Sequence, residues 1–437
     1  MHHAAGGNAK TGELLSGVAL TSRMFIDLIE RITTPITSHR QHFHISTSTR
    51  IDLVAMDVYT IPNFLADQRD NAPDDLQHYF LTFEDYWERK LWHELTDLLV
   101  EFFQQEDSAK QRIPTYNTFI KSFADKINQL KLVRLGLSTA SQVSSDQERL
   151  SFLKTLSDNV NKPPSQDAYV YALSAVANVH LRLGDLETAR STLDTCESIL
   201  DSFDAVETSV HASFYRVSAD YYQVKQDFAA YYRTTLLYLA CIELSTLSVQ
   251  ERQTLAHDLS IAALVSDSIY NFGELLLHPI LDSLQNTPNA WLRDLLIAFN
   301  RGDLGAYDVL AANMSKNKLL ADHASFLYQK ISLSALTEAV FRRPAHDRSM
   351  SFSTIASETK VRPDEIEHLI MKALSLGLLR GQIDQVAEMA RISWVQPKVL
   401  DRNQIQGMME RLSEWDAGVN RLGHFIESKG KDVWAAV

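Results

Sequence analysis

From about Asp57 to the end of the chain, apolar residues recur at three- and four-residue steps, in segments separated by short polar or Pro/Gly breaks. That period predicts helices almost throughout. One predicted helix carries Phe83, Tyr86, Trp87, Leu91, Leu95 and Leu98 on a single face, and the next carries Tyr116, Phe119, Ile120 and Phe123. Two such faces are expected to pack as an antiparallel pair.

A degenerate repeat follows. Leu183-Gly184-Asp185-Leu186-Glu187-Thr188-Ala189 is echoed by Lys225-Gln226-Asp227-Phe228-Ala229-Ala230-Tyr231 and by Arg301-Gly302-Asp303-Leu304-Gly305-Ala306-Tyr307. Gly184 and Gln226 are 42 residues apart, and the 76 residues from Gln226 to Gly302 are close to two further periods. In each copy a helix stops at Gly or Gln and an Asp is placed to cap the next, while Ala189 and Ala230 allow close approach of the two. The pattern resembles tetratricopeptide-type hairpins and predicts a right-handed array of them.

After Pro344-Ala345-His346-Asp347-Arg348 the pattern changes. Ser351-Phe352-Ser353 leads into a short helix with Ile355 and Ala356, and the turn Val361-Arg362-Pro363-Asp364 leads into a second with Ile366, Leu369, Ile370, Ala373 and Leu374. Pro363 suits a first helical turn and Gly377 a C-terminal stop. Two strands are predicted next, Leu378 to Ile383 and Arg391 to Val395, and the whole reads as a winged helix. A last helix, from about Asp401, places Ile405, Met408, Leu412, Trp415, Val419, Leu422 and Ile426 at alternating three- and four-residue steps. That seam is nearly heptad and calls for partner helices, or else for the helix to fold back on its own domain. The fold is therefore mainly α: residues 57–330 a helical array, 331–400 a winged-helix module, 401–437 a C-terminal helix.

Composition narrows the function. With 437 residues, 45% of them hydrophobic, the chain can bury a large core in two or three units. A formal net charge of −13 disfavours general binding to nucleic acid or anionic membranes. No apolar run is long enough for a membrane span. Cys196 and Cys241 sit among apolar helical neighbours without other ligands at metal spacing, and read as buried free thiols of a reducing compartment. Residues 1–56 are rich in His, Ser and Thr, with scattered Arg, and read as a disordered extension rather than a transit peptide.

The winged helix invites a DNA-reading role, but its second helix begins Asp364-Glu365-Ile366-Glu367. Acids there face phosphates and base edges unfavourably, and instead complement the helix dipole. Trp394, beside Ile392 and Val395, reads as core of the wing. Tyr221-Tyr222 and Tyr231-Tyr232 read as hairpin core before peptide groove. No Ser-His-Asp or Cys-His set and no phosphate-cradling Gly motif can be assembled, so no catalytic residue, cofactor or metal is assigned.

Several longer phrases carry a resemblance. Asn271-Phe272-Gly273-Glu274-Leu275-Leu276-Leu277-His278-Pro279-Ile280-Leu281, Phe341-Arg342-Arg343-Pro344-Ala345, the run Glu367 to Leu378, Ser393-Trp394-Val395-Gln396-Pro397-Lys398-Val399-Leu400 and Lys90-Leu91-Trp92-His93-Glu94-Leu95 are similar to the PCI-domain subunits of the 26S proteasome lid, over roughly residues 57–434. The resemblance implies a non-catalytic scaffold, a hetero-oligomer in cytoplasm and nucleus. Its implied partners are other lid PCI subunits, metalloprotease-type lid subunits and the ubiquitin-receptor subunit, with no nucleic acid and no membrane. The partner-contact seam is then Ile405, Met408, Leu412, Trp415, Val419 and Leu422. PCI subunits of the signalosome or of translation initiation factor three are the alternative. Because the lid also holds a zinc deubiquitinase, His42-Phe43-His44 needs comparison with its motif. That motif has Ser and the ligand Asp where this chain has Asp52 and Ala55, so the third protein ligand is lacking.

Overall fold

The computed structural model describes residues 61–203, 206–285, 287–343, 347–398 and 402–434, with the side chains of the last segment described over 405–429. The His42/His44 pair and the N-terminal extension lie outside them.

The helical face expected from Phe83 to Leu98 is divided. Residues 61–70 form α1, and the next two helices are α2 (Asp74–Glu88) and α3 (Trp92–Gln104). Lys90 breaks the run by adopting a left-handed φ of 58°. Around it Lys90 N–H donates to Trp87 O at 3.1 Å and Leu91 N–H to Tyr86 O at 3.0 Å, the paired bonds of a Schellman stop. The expected helix at Tyr116 to Phe123 is also corrected: a π turn, Thr115–Phe119, runs into a 3-10 stretch, Ile120–Lys126, kinked at Phe123. The aromatic residues still meet, Phe83 with Phe119 at 6.2 Å and Trp87 with Phe123 at 5.6 Å between ring centroids.

Regular helices then succeed one another: α4 (Gln129–Ala140), α5 (Asp146–Val160), α6 (Gln166–Arg182), α7 (Leu186–Leu200), α8 (Thr208–Lys225), α9 (Phe228–Cys241) and α10 (Val249–Val265). Short turns, Gly273–Leu277 and Pro279–Leu284, occupy the interval before α11 (Trp291–Arg301) and α12 (Leu304–Leu310), in place of a second regular helical pair. The three repeat phrases form the same corner. Gly184, Gln226 and Gly302 have φ of 81°, 61° and 66°, and the next residue, Asp185, Asp227 or Asp303, accepts from the first-turn amides Thr188 N, Ala230 N and Ala306 N. A left-handed residue followed by an N-cap turns the chain back within two positions.

The core is layered along the array. α6 gives Ala168, Ala172 and Val176 to the cluster before it and Val170 and Ala177 to the one after. α8 likewise gives Val210, Phe214 and Val217 backward, and Ala212 and Ala219 forward. A helix buried on two sides needs small and branched residues rather than one broad apolar stripe.

A long helix, α13 (Ala324–Arg342), runs unbroken through residues 330 and 331. Leu327, Ile331 and Ala335 pack with the array, whereas Leu333, Leu336 and Val340 pack with the module that follows. That module is β1 (Ser349–Ser351), α14 (Phe352–Thr359), α15 (Ile366–Ser375), β2 (Leu379–Asp384) and β3 (Met389–Val395), in sheet order β1-β3-β2 with antiparallel pairs. It is a winged helix. β1 is a third strand that three residues of Ser and Met do not signal. Gly377, with φ 70°, ends α15 as expected.

Lys330 fastens α13 to the array. Its ammonium is wholly buried and donates to Ala263 O at 2.8 Å, Leu264 O at 3.0 Å and Ser266 O at 2.5 Å, the free carbonyls at the end of α10. The rings of Tyr270, Phe272 and Phe326 lie within 5.3 to 5.7 Å of the charge.

Candidate partner-docking helix

The chain leaves the wing through a fixed point. Lys398 Nζ lies 3.8 Å from Glu338 Oε2 on α13 and donates to Asn300 O of α11 at 3.5 Å, while Arg342 Nε lies 3.3 Å from Glu338 Oε1. Burial lowers the Lys398 pKa and Glu338 opposes it. Beyond this root stands α16 (Arg402–Trp434). Its 33 residues span about 50 Å at the α-helical rise.

None of the described side chains of α16 is buried. The seam residues are strongly exposed: Ile405 55%, Met408 45%, Leu412 62%, Trp415 69%, Val419 46% and Leu422 58%. Ile426, one heptad past Val419, continues it. The helix therefore does not fold back on its own domain. Charged residues such as Glu410, Arg411, Glu414 and Arg421 hold other positions, so the stripe is one-sided at heptad spacing. Sequence reasoning missed Met409 and Phe425, exposed hydrophobics that widen the stripe. Their signal was adjacency: each neighbours a seam position, where an apolar residue extends a heptad face to a flanking position. An apolar strip of this length on a lone helix is costly to leave in water and fits a helical partner.

The winged helix shows a different surface. Asp364 and Glu365 are exposed in the turn entering α15, Glu365 is paired with Arg362, and Glu367 accepts from Gln385 Nε2 at 3.1 Å. The reading of Trp394 as wing core is corrected. Arg380 pairs with Trp394 but Gly381 pairs with Ile392, leaving Ser393 as the extra residue of a bulge. The bulge shifts the alternation, so Ile392 and Val395 point inward while Trp394 is half-buried under the Arg380 guanidinium, 4.6 Å from its ring centroid. Gly381 permits this, since a Cβ there would lie 2.3 Å from Arg391 O.

Tyr221, Tyr231 and Tyr232 are buried in the hairpins, and Tyr222 is half-buried, accepting from Arg190 Nη1 at 2.9 Å. Burial raises the Cys196 thiol pKa to about 12, and it raises that of half-buried Cys241 as well, so neither is an activated nucleophile. Among the described residues no three His, Cys, Asp or Glu side chains gather as metal ligands, and no helix is long and apolar enough to cross a membrane.

A helical array, a winged helix sharing its first long helix with that array, and a projecting C-terminal helix together define a PCI-domain protein. The PCI domain model matches residues 305–394. On either side, the model for PSD13 N-terminal repeats matches residues 79–296 and that for the Rpn9 C-terminal helix matches residues 398–430. The chain belongs to the family of 26S proteasome regulatory subunit Rpn9, also called non-ATPase regulatory subunit 13. It is 44% identical to the probable 26S proteasome regulatory subunit rpn9 of Schizosaccharomyces pombe, over 85% of this chain and 97% of that protein. It is 40% identical to the 26S proteasome regulatory subunit RPN9 of Saccharomyces cerevisiae, over 86% of this chain and 99% of that protein. Translation initiation factor 3 subunit M of Emericella nidulans is similar only in part, at 28% identity over 40% of each chain.

Proposed function

We propose that this chain is a non-catalytic scaffold subunit of the 26S proteasome lid, held in the regulatory particle by two separable contacts, the winged-helix module and α16. The observation that carries this reading is the exposed seam of Ile405, Met408, Leu412, Trp415, Val419 and Leu422 on a helix with no buried described side chain, in a member of this family. Helices of other lid subunits, PCI and metalloprotease-type, cover that stripe in a bundle, and the ubiquitin-receptor subunit is a neighbour. The complex works in cytoplasm and nucleus, supporting ubiquitin-dependent protein degradation through assembly and not through chemistry of this chain. The acids leading α15 favour protein packing over duplex DNA for the winged helix.

Truncation after Asp401 tests the assignment. The shortened protein should keep its thermal unfolding midpoint but fail to co-purify with the other lid subunits. Stoichiometric co-purification would sink the assignment of α16. Co-migration of the intact protein with ribosomal subunits instead of proteasomes would place it with initiation factor three.

A further inference from the structure

Two cavities open beside α8. One, of about 330 Å³, lies between α4 and α5 on one side and α6 and α8 on the other, with an apolar floor that includes Ala175, Val179 and Val217. Arg149, Arg182 and Arg216 stand around it, and among the described residues no Asp or Glu lines it. In a chain of net charge −13 this is a local reversal of sign. Arg149 is held in place, donating to Ala140 O at 3.0 Å and Val143 O at 2.6 Å and pairing with Asp146. Arg182 is exposed and makes no direct hydrogen bond or ion pair among the described residues, although its charge, like that of Arg216, favours the ionised form of the Asp220 carboxyl. Arg216 makes a long contact with Glu251, 3.7 Å, and a bond to Tyr238 Oη of 3.3 Å, lies 5.9 Å from the Tyr238 ring centroid, and its charge favours the ionised form of the Asp220 carboxyl.

The second cavity, of about 410 Å³, shares Arg216 but carries Asp220, Glu251 and Asp258. Charge therefore changes sign across Arg216. The acids on that side would repel an anionic group and confine it to the arginine side. A guanidinium with free N–H donors, beside another that is rigidly placed, suits a planar carboxylate. The apolar floor suits a hydrophobic side chain next to it and does little for a polyanion.

We propose that the cavity between α6 and α8 docks a partner protein's peptide segment in which a carboxylate sits beside an apolar side chain, the carboxylate among Arg149, Arg182 and Arg216 and the apolar group over Val179 and Val217. This surface is separate from α16, so its test does not depend on the lid assignment.

The test is fluorescence anisotropy with the full chain and a fluorescein-labelled decapeptide carrying a single glutamate beside a single leucine in a glycine-serine background, with glutamine-for-glutamate and lysine-for-glutamate versions beside it. The glutamate peptide should bind about tenfold or more tighter than either, the scale of one charge-assisted contact, and weaken as salt rises. Arg182→Gln and Arg216→Gln, which remove the cation without adding an acid beside Asp220 and Glu251, should each remove most of that preference while the circular dichroism spectrum stays unchanged. Arg362→Glu, on the winged helix, should leave binding intact. Equal binding of glutamate and glutamine peptides, or no binding, overturns the proposal. So does an oligothymidine decamer that binds with the same arginine dependence.

Discussion

Gly302 answers to two demands at once. Its φ of 66° lies in the left-handed region, and a Cβ on it would stand 2.5 Å from Ala335 Cα and 2.7 Å from Ala335 N on α13. Gly184 has the same kind of φ, 81°, but open space around it. Gly184→Ala should therefore cost only the conformational term, about 1 kcal/mol. Gly302→Ala adds backbone overlap at the seam between array and winged helix, for a total of about 2 to 4 kcal/mol. Urea midpoints of the two variants measure the difference, and equal losses would contradict it. Both glycines were legible in the sequence as helix stops. The extra demand on Gly302 comes from a helix more than thirty residues later, and no local pattern carries it.

Lys330 was not singled out by pattern at all, since one lysine in an apolar run looks like a solvated position. Burial lowers its pKa to about 7, with Asp267 opposing. An unfolded lysine titrates near 10.4. Between these values the unfolded chain binds more protons than the folded one, so this residue's contribution to stability rises as pH increases from about 7 towards 10. Lys330→Met leaves the buried carbonyls around Nζ without their side-chain donor and should destabilise the protein by about 1 to 3 kcal/mol. The gap from the unsubstituted protein should widen with pH over that window. Thermal melts of both proteins at pH 7, 8 and 9 check this; a gap that stays constant across them would show that the lysine keeps its proton.

At the scale of elements, stops written with Gly were readable and stops written with other residues were not. The corner at Gln226 was found only because Gly184 and Gly302 supplied the phrase. The corner at Lys90 has the same paired hydrogen bonds but no glycine and no following Asp, so two helices read as one. Lys90 is exposed, and its left-handed φ is a cost carried by the side chain. Lys90→Gly should accordingly stabilise the protein by roughly 0.5 to 1 kcal/mol, seen as a raised urea midpoint; a lowered one would mean that the side chain supports the turn. Trp394 shows the complementary limit. Alternation from Ile392 puts Trp394 inside and Val395 outside, but a bulge at Ser393 resets the phase, and a single strand's sequence does not reveal what its partner's register will do. Ser393 Oγ secures the bulge by donating to Arg380 O at 3.1 Å.

For the whole molecule, the order of parts was legible because each part has its own period: helical repeats, then a helix-turn-helix with strands, then a heptad. What stayed hidden was how the parts join, because α13 serves two cores and the root of α16 is set by Glu338, sixty positions before Lys398. The exposed apolar stripe of α16 was legible, since its heptad spacing is written directly in the chain. Its consequence can be separated from folding. Trp415 is 69% exposed in this chain, so Trp415→Ala should leave the thermal midpoint of the isolated subunit unchanged within a degree or so, as surface substitutions do. If the lid bundle covers that ring, the same change should weaken association by roughly 2 kcal/mol or more, the scale of a buried aromatic anchor. Competition for assembly between variant and unsubstituted subunit measures this. A lowered midpoint with unchanged assembly would assign Trp415 to the chain's own core. Loss of assembly at constant midpoint is the signature of a residue kept apolar for a partner.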